Sequence, residues 1–257
     1  MLDVERRQRV SDFITQNGHA TVDELCRAFG VSTATARRDL THLSQLGLIK
    51  RAHGGAVSLR VRHDQGLAEP PVLNRASLQV EEKRRIGRAA AHHVKNGDVV
   101  IISAGTTTAE MAAHLTDRQG LTVLTNALNV ATALVACRGI TIVLTGGVLH
   151  HDQLSVSGAL TEDALKNLRA DRLFMSTPAI HVDYGFSAAD LSEVQSARAL
   201  IGAANDVVVL CDYTKFGKVA TMRVAEIDVA SRIITDDAAP AADLAALAAH
   251  GIDVEIC

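Results

Sequence analysis

The sequence predicts a chain of two domains, a small α+β module at the N-terminus followed by a larger, mainly parallel α/β domain. Three observations carry this. Short capped helical segments and a glycine-containing pair of strands fill residues 1–60. From residue 79 to residue 257, strand-sized apolar runs alternate with helical ones, which is the pattern of a parallel sheet. Between them, residues 61–78 include Glu69-Pro70-Pro71 and follow no clear period, so they read as a linker.

Composition narrows the class. The 257 residues are 47% hydrophobic and 21% charged, a globular balance with room for one large domain and one small one. No apolar run approaches the roughly 20 residues that span a bilayer, and no charged-then-apolar leader opens the chain, so a cytoplasmic protein without a membrane partner is expected. Cys26, Cys137, Cys211 and Cys257 are scattered without C-x-x-C spacing, which predicts free thiols rather than a zinc site or a disulfide framework. Charge is uneven. Residues 1–62 hold ten Lys/Arg against six Asp/Glu, whereas the remainder is acidic. A basic module on an acidic body directs a polyanion to the first part.

Within that module, Leu2, Val10, Phe13 and Ile14 recur at helical spacing, with Arg6, Arg7 and Arg9 between them. Thr21-x-x-Glu24 is a capping box for a second helix carrying Leu25 and Phe29 and ending at Gly30. Ser32 caps a third helix. Helix, tight turn and helix form a helix-turn-helix, whose second member lies in the DNA major groove. In the third helix, Ala36, Leu40 and Leu43 share the face that must pack, while Ala34, Arg38, Thr41 and Gln45 face away with Thr33 and Arg37 on the flanks. Small side chains at the helix start admit it to the groove, and arginines one turn later read guanine or clamp phosphate. The division expected is Arg38 on bases and Arg37 on phosphate. "LIKRAHGGAVSL" then reads as two strands around His53-Gly54-Gly55, a wing that lays Lys50, Arg51 and His53 along the backbone. The candidate DNA contacts are Ser32, Thr33, Thr35, Arg37, Arg38, Thr41, Lys50, Arg51 and His53.

The run "ERRQRVSDFITQNGHATVDELCRAFGVSTATARRDLTHLSQLGLIKRAHGGAV" resembles the winged helix-turn-helix of the DeoR family of bacterial transcriptional regulators. Ala36 departs from it, standing where the family usually has Ile. The resemblance implies operator DNA as a partner.

In the larger domain a helix over 79–96 precedes strands at 98–103, 121–125, 140–144, 172–176, 206–211, 231–235 and 252–256. Ligands of such sheets bind beyond the carboxyl ends of the strands. The first turn there, "SAGTTTAE", offers Ser103, Gly105, Thr106, Thr107 and Thr108 at a helix start, where backbone N–H groups and the dipole favour an anion. Plain N-capping by threonine is the alternative. Asn126, Gly146 and Gly147, and Asp212 and Lys215 stand at later strand ends. Hydroxyl, amide, glycine and ammonium groups together suit a small polyhydroxy phosphate.

The runs "EEKRRIGRAAAHHVKNGDVVIISAGTTT", "TNALNVA", "LTGG" and "DYTKFG" are similar to the same family's sugar-phosphate effector domain, which implies a fold like that of ribose-5-phosphate isomerase. Ser103 stands where an Asp is usual, and the usual Lys is replaced near Ala197.

The likeness raises an enzyme as the alternative function. Sugar isomerisation needs a carboxylate base, and in "MSTPAIHVDYGFSAAD" Ser176 and Ala179 fall where the isomerases carry theirs, leaving Asp183 and Asp190 as possible substitutes. His92-His93 and His150-His151-Asp152 lack metal-site spacing and read as surface histidines. The expectation is therefore a repressor of a carbohydrate operon. It uses no cofactor or metal, binds double-stranded operator DNA as a homodimer or higher homo-oligomer, and is relieved by a phosphorylated sugar.

Overall fold

A computed structural model describes residues 6, 7, 9–11, 13, 14, 19–45, 48–52, 54–58 and 69–257. Leu2 and His53 lie outside the described residues. The chain divides into two compact units, Met1–Gln65 and Gly66–Cys257.

In the first unit, residues 6, 7, 9–11, 13 and 14 are helical. The helix Val22–Phe29 begins in the expected capping box between Thr21 and Glu24 and ends at Gly30 with φ 63°. The helix Thr33–Gln45 follows, with the Ser32 hydroxyl accepting from the Thr35 amide at 3.2 Å. Val10, Ile14, Leu25, Ala36, Leu40 and Leu43 are buried together, and the wing strand residues Ile49 and Ala56 close the cluster. This is the helix-turn-helix that the periodicity predicts. The wing is larger than expected: β1 (His19–Thr21) joins β2 (Ile49–Ala52) and β3 (Gly55–Ser58) in the order β1-β3-β2. The glycine pair explains itself here. Gly54 turns the hairpin at φ 79°, and a Cβ on Gly55 would stand 2.2 Å from the Ala20 carbonyl oxygen of β1, so only glycine lets the third strand approach.

The second unit is built on a seven-stranded sheet. It contains β4 (Val99–Ile102), β5 (Leu121–Thr125), β6 (Ile140–Leu144), β9 (Arg172–Ser176), β12 (Val207–Leu210), β14 (Arg232–Thr235) and β15 (Asp253–Ile256). All pairings are parallel, in the order β15-β14-β12-β9-β4-β5-β6. The inner strands such as β4 and β12 coincide with apolar runs because they are covered on both faces, whereas the edge strands β6 and β15 keep exposed residues. Val100 and Ile102 pack with Ile86, Ala90 and Met111 of the helices Val80–His92 and Thr106–Ala113. Ile101 points the other way, into a cluster with Leu173, Val194 and Phe186.

Three strands without an alternating pattern complete that second face. They are β10 (Ala179–His181), β11 (Gly185–Ala188) and β13 (Met222–Ala225), an antiparallel sheet absent from the sequence reading. A hairpin of β7 (Val148–His150) and β8 (Ser155–Ser157) stands beyond the end of β6.

The strand order reverses at the pair β4 and β9. From β4 the chain runs outward to β5 and β6, whereas later strands are laid down on the other side starting with β9. A crevice opens at such a switch point, beyond the carboxyl ends of the strands.

Candidate functional site

Two sites are considered, one in each unit. On the helix Thr33–Gln45 the packed face is Ala36 and Leu40, 2% and 0% exposed, with Leu43 beside them. Ser32, Thr33, Ala34, Arg37, Arg38 and Thr41 are exposed, and Thr35 is half-buried against the Ser32 hydroxyl. The Thr41 hydroxyl donates to the Arg37 carbonyl at 2.9 Å, so it is occupied within the helix. Arg51 donates from Nη1 to the same carbonyl at 3.2 Å, which ties β2 to the helix. Lys50 lies in the same strand.

A residue missed by sequence reasoning holds this helix in place. Asp39, next to the arginine pair, is fully buried. Its carboxylate accepts from Arg6 Nε at 2.7 Å and Nη2 at 3.2 Å, and from Arg7 Nε at 3.1 Å. Burial alone would raise its pKa, but the two guanidinium groups outweigh that and hold it below the usual carboxylate range. Arg6 and Arg7 therefore serve a structural ion pair, and the exposed cationic face rests on Arg37, Arg38 and Arg51.

In the second unit a pocket sits at the switch point. Ser103 after β4, Ser176 at the end of β9, Asn126 after β5 and Ser155 and Ser157 of β8 line it, with Arg75, Glu69 and Glu193. The Ser103 hydroxyl accepts from the Ser176 amide at 3.2 Å, which joins the two strand ends. Asn126 accepts from the Ala104 amide at 3.2 Å and donates to the Val156 carbonyl at 3.3 Å. Ser196 also lines the pocket, and its buried hydroxyl has no partner among the described residues.

The other expected residues, Gly105, Thr106, Thr107, Thr108, Gly146, Gly147, Asp212 and Lys215, do not line this pocket. Gly105 packs so closely that a Cβ there would stand 2.8 Å from both Ser176 Cβ and Thr108 Oγ1. Thr106, Thr107 and Thr108 form the first turn of the helix and are buried. Thr106 lines a second cavity with Lys83. Gly146 accepts from the Thr161 hydroxyl at 2.6 Å, and Gly147 lies against Ser157. Asp212 is buried and caps the turn Tyr213–Lys215, accepting from the Thr214 amide at 3.0 Å, so it is not offered to the pocket. Lys215 is ion-paired with Glu69.

Several site residues were not legible in the sequence. His150, read as a surface histidine, lines the pocket and hydrogen-bonds Ser157. Asp183 and Asp190 do not line it. Asp183 is exposed, and Asp190 caps the helix Leu191–Gly202 by accepting from the Ser192 amide at 2.8 Å. Among the described residues two carboxyls line the pocket, that of Glu69 and that of Glu193, which stands in the first turn of that helix. Desolvation, reinforced by the carboxylates of Glu69 and Asp190, pushes its pKa up to about 7. The folded protein thus holds a proton there more tightly than the unfolded chain, whose carboxyl titrates near the ordinary 4.5. Stability should fall as pH rises from about 4.5 to 7, by roughly 3 kcal/mol at the usual 1.36 kcal/mol per unit. Melting temperatures between pH 4.5 and 8 check this, and Glu193→Gln should remove that part of the slope.

Among the described residues no three His, Cys, Asp or Glu side chains are grouped to hold a metal ion, and no helix is long and apolar enough to cross a membrane. Residues 6–62 match the DeoR-like helix-turn-helix domain, and residues 78–237 match the DeoR C terminal sensor domain. The chain is 32% identical over 257 residues to the glycerol-3-phosphate regulon repressor of Escherichia coli (strain K12), covering 100% of each. It is 34% identical over 234 residues to the transcriptional repressor AccR of Agrobacterium fabrum, covering 90% of this chain and 89% of that one. Among solved structures it is similar to ribose 5-phosphate isomerase from Plasmodium falciparum, with 9% identity, a TM-score of 0.39 and 52% of each chain covered. Matched in both units and related over its whole length to regulators of one kind, the chain belongs to the DeoR family of transcriptional regulators.

Proposed function

We propose that the protein is a repressor that binds operator DNA through the helix Thr33–Gln45 and is released by a phosphorylated sugar or a related polyol phosphate. The observation that carries this is the exposed face of that helix, with Ser32, Thr33 and Ala34 ahead of Arg37 and Arg38 and the apolar residues all on the opposite side. Small residues allow close approach to base edges, and the guanidinium of Arg38 then makes a bidentate contact to guanine while Arg37 takes a phosphate. Lys50 and Arg51 supply backbone contacts from the wing. A homodimer presents two such helices to paired half-sites. Arg38→Ala should weaken operator binding by about 1–3 kcal/mol and relax specificity at one position. Unchanged operator affinity and salt dependence, measured by titration at several salt concentrations, would remove the assignment.

On the sensing side, the amides of the first turn of Thr106–Ala113 suit a phosphate, with Lys215 offering it further positive charge, and Ser103, Asn126 and the serines of β8 suit the hydroxyls of a short carbon chain. A relative named for the glycerol-3-phosphate regulon supports a ligand of that size and charge. Release follows when the ligand binds better to the arrangement that cannot place both helices on DNA.

One observation favours a second reading. Glu193 gives the pocket a carboxyl with a pKa of about 7, the property a proton-transferring base needs. We propose binding without turnover, since relatives over the full chain carry the names of repressors. Incubation with pentose and hexose phosphates should leave them unchanged. Interconversion that Glu193→Gln abolishes would instead establish an isomerase.

A further inference from the structure

The cations best placed to receive a ligand's anionic group already hold an anion of the protein's own. Both oxygens of the Glu69 carboxylate are engaged, one by Arg75 Nη1 and the other by Lys215 Nζ. The three side chains are 13%, 11% and 18% exposed, so the pairing is largely shielded from water. Glu69 and Arg75 both line the pocket at the switch point.

The two sides of this pairing are anchored differently. Arg75 is fixed to the second unit. Its Nη2 donates to Gln153, and its carbonyl accepts from Lys83 Nζ at 2.7 Å, an ammonium that also holds the Leu78 carbonyl at 2.6 Å. Lys215 follows the strand end of β12. Glu69 lies in irregular chain only four residues past the boundary between the units. Behind it, the Pro70 carbonyl accepts from Arg75 Nε at 2.8 Å, and the Val72 amide donates to the Asp152 carbonyl at 2.6 Å. All three groups belong to the second unit, but Arg75 and Lys215 follow elements of its fold, whereas the carboxylate stands in irregular chain next to the boundary between the units.

Charge also favours exchange. Glu69 brings one negative charge to two cations. A phosphate monoester brings two negative charges and three acceptor oxygens to the same pair. From this geometry we infer that Glu69 is an internal counter-anion, displaced from Arg75 and Lys215 by the anionic end of the ligand, and that its ejection frees residues 69–72 and so signals to the DNA-binding unit. The inference rests on the reading of the pocket as the sensor site, and it adds how occupancy leaves that site. The apparent affinity of a ligand is reduced by the fraction of protein in which its place is taken. Removing the internal anion should therefore tighten binding.

The experiment titrates full-length wild type and Glu69→Gln with inorganic phosphate and with glycerol 3-phosphate by calorimetry, and follows hydrogen exchange at the Val72, Arg75 and Ala76 amides. The expected result is binding of glycerol 3-phosphate or inorganic phosphate to wild type with faster exchange at those amides. Glu69→Gln should bind the same probe about tenfold or more tightly, with fast exchange before any ligand is added. Because Gln could disturb folding of residues 69–72, Glu69→Asp serves as a second variant. It keeps the charge but shortens the reach, and should fall between the two. If wild type binds the probe but both variants bind equally or more weakly, Glu69 is a structural ion pair and the inference is overturned while the sensor reading stands. If no form binds either phosphate, both fall.

Discussion

Asp39→Ala is expected to destabilise the DNA-binding unit by about 3 kcal/mol, at the lower end of the roughly 3–5 kcal/mol found when one partner of a buried ion pair is removed. The carboxylate is fully buried and takes three hydrogen bonds from Arg6 and Arg7. Deleting it leaves two guanidinium groups facing a cavity. Their side chains retain 14% and 24% exposure, which softens the loss and places the expectation at the low end. Amide exchange in the helix Thr33–Gln45 should accelerate by about a hundredfold, while β4, β9 and β12 of the other unit keep their protection. Asp39→Asn should lose less, since it keeps the shape and one acceptor. The pH dependence carries the sign of a depressed carboxylate. The contribution of Asp39 is complete above its ordinary value of 3.8 and disappears as pH falls through the lower value it has in the fold. In either variant the acid limb of unfolding below pH 4 should flatten. Equal exchange rates in wild type and Asp39→Ala would mean that Arg6 and Arg7 hold the helix by other contacts.

The second large effect is expected at Gly105. An added Cβ would meet Ser176 Cβ and Thr108 Oγ1, both at 2.8 Å, closer than carbon and oxygen atoms pack. Gly105→Ala must push the loop between β4 and the helix Thr106–Ala113 away from the strand end of β9. Overpacking of this kind costs about 1–3 kcal/mol, and the first-turn amides that suit a phosphate move with it. The expected phenotype is a repressor that binds operator normally and is not released by ligand. In a thermal assay, a ligand at 100 times its dissociation constant should stabilise wild type by about 2.7 kcal/mol and Gly105→Ala by none. Retained release in the variant would place the anion elsewhere in the pocket.

The elements that the sequence made visible are those whose signal is local. The capping box at Thr21 and Glu24, the glycine at 30 and the apolar face of Ala36, Leu40 and Leu43 each lie within one or two helical turns. The inner parallel strands announce themselves because burial on both faces demands apolar runs such as Val99–Ile102 and Val207–Leu210. What stayed hidden depends on partners far along the chain. Asp39 is polar in the sequence and becomes buried only because Arg6 and Arg7 arrive from 33 and 32 residues away. Glu69 and Lys215 are 146 residues apart. Without that pairing, the region before residue 79 reads only as a proline-containing connector. Nothing local marks Glu193, because its character comes from burial at the pocket wall and from Glu69 and Asp190. The strands β10, β11 and β13 escaped notice for a related reason. They are three or four residues long, and β11 is buried along its whole length without alternation.

The switch point between β4 and β9 has a consequence for the order in which the molecule matures. Val100 pairs with Arg172 and Ile102 with Phe174, contacts that close a loop of about seventy residues and are slow to form relative to local ones. The contacts that hold the first unit together span about half that distance, as between Asp39 and Arg6, and that unit leaves the ribosome first. The part that reads DNA is thus expected to be folded before the crevice that senses the ligand exists. A newly made chain would pass through a stage at which it can dock on DNA and cannot yet be induced.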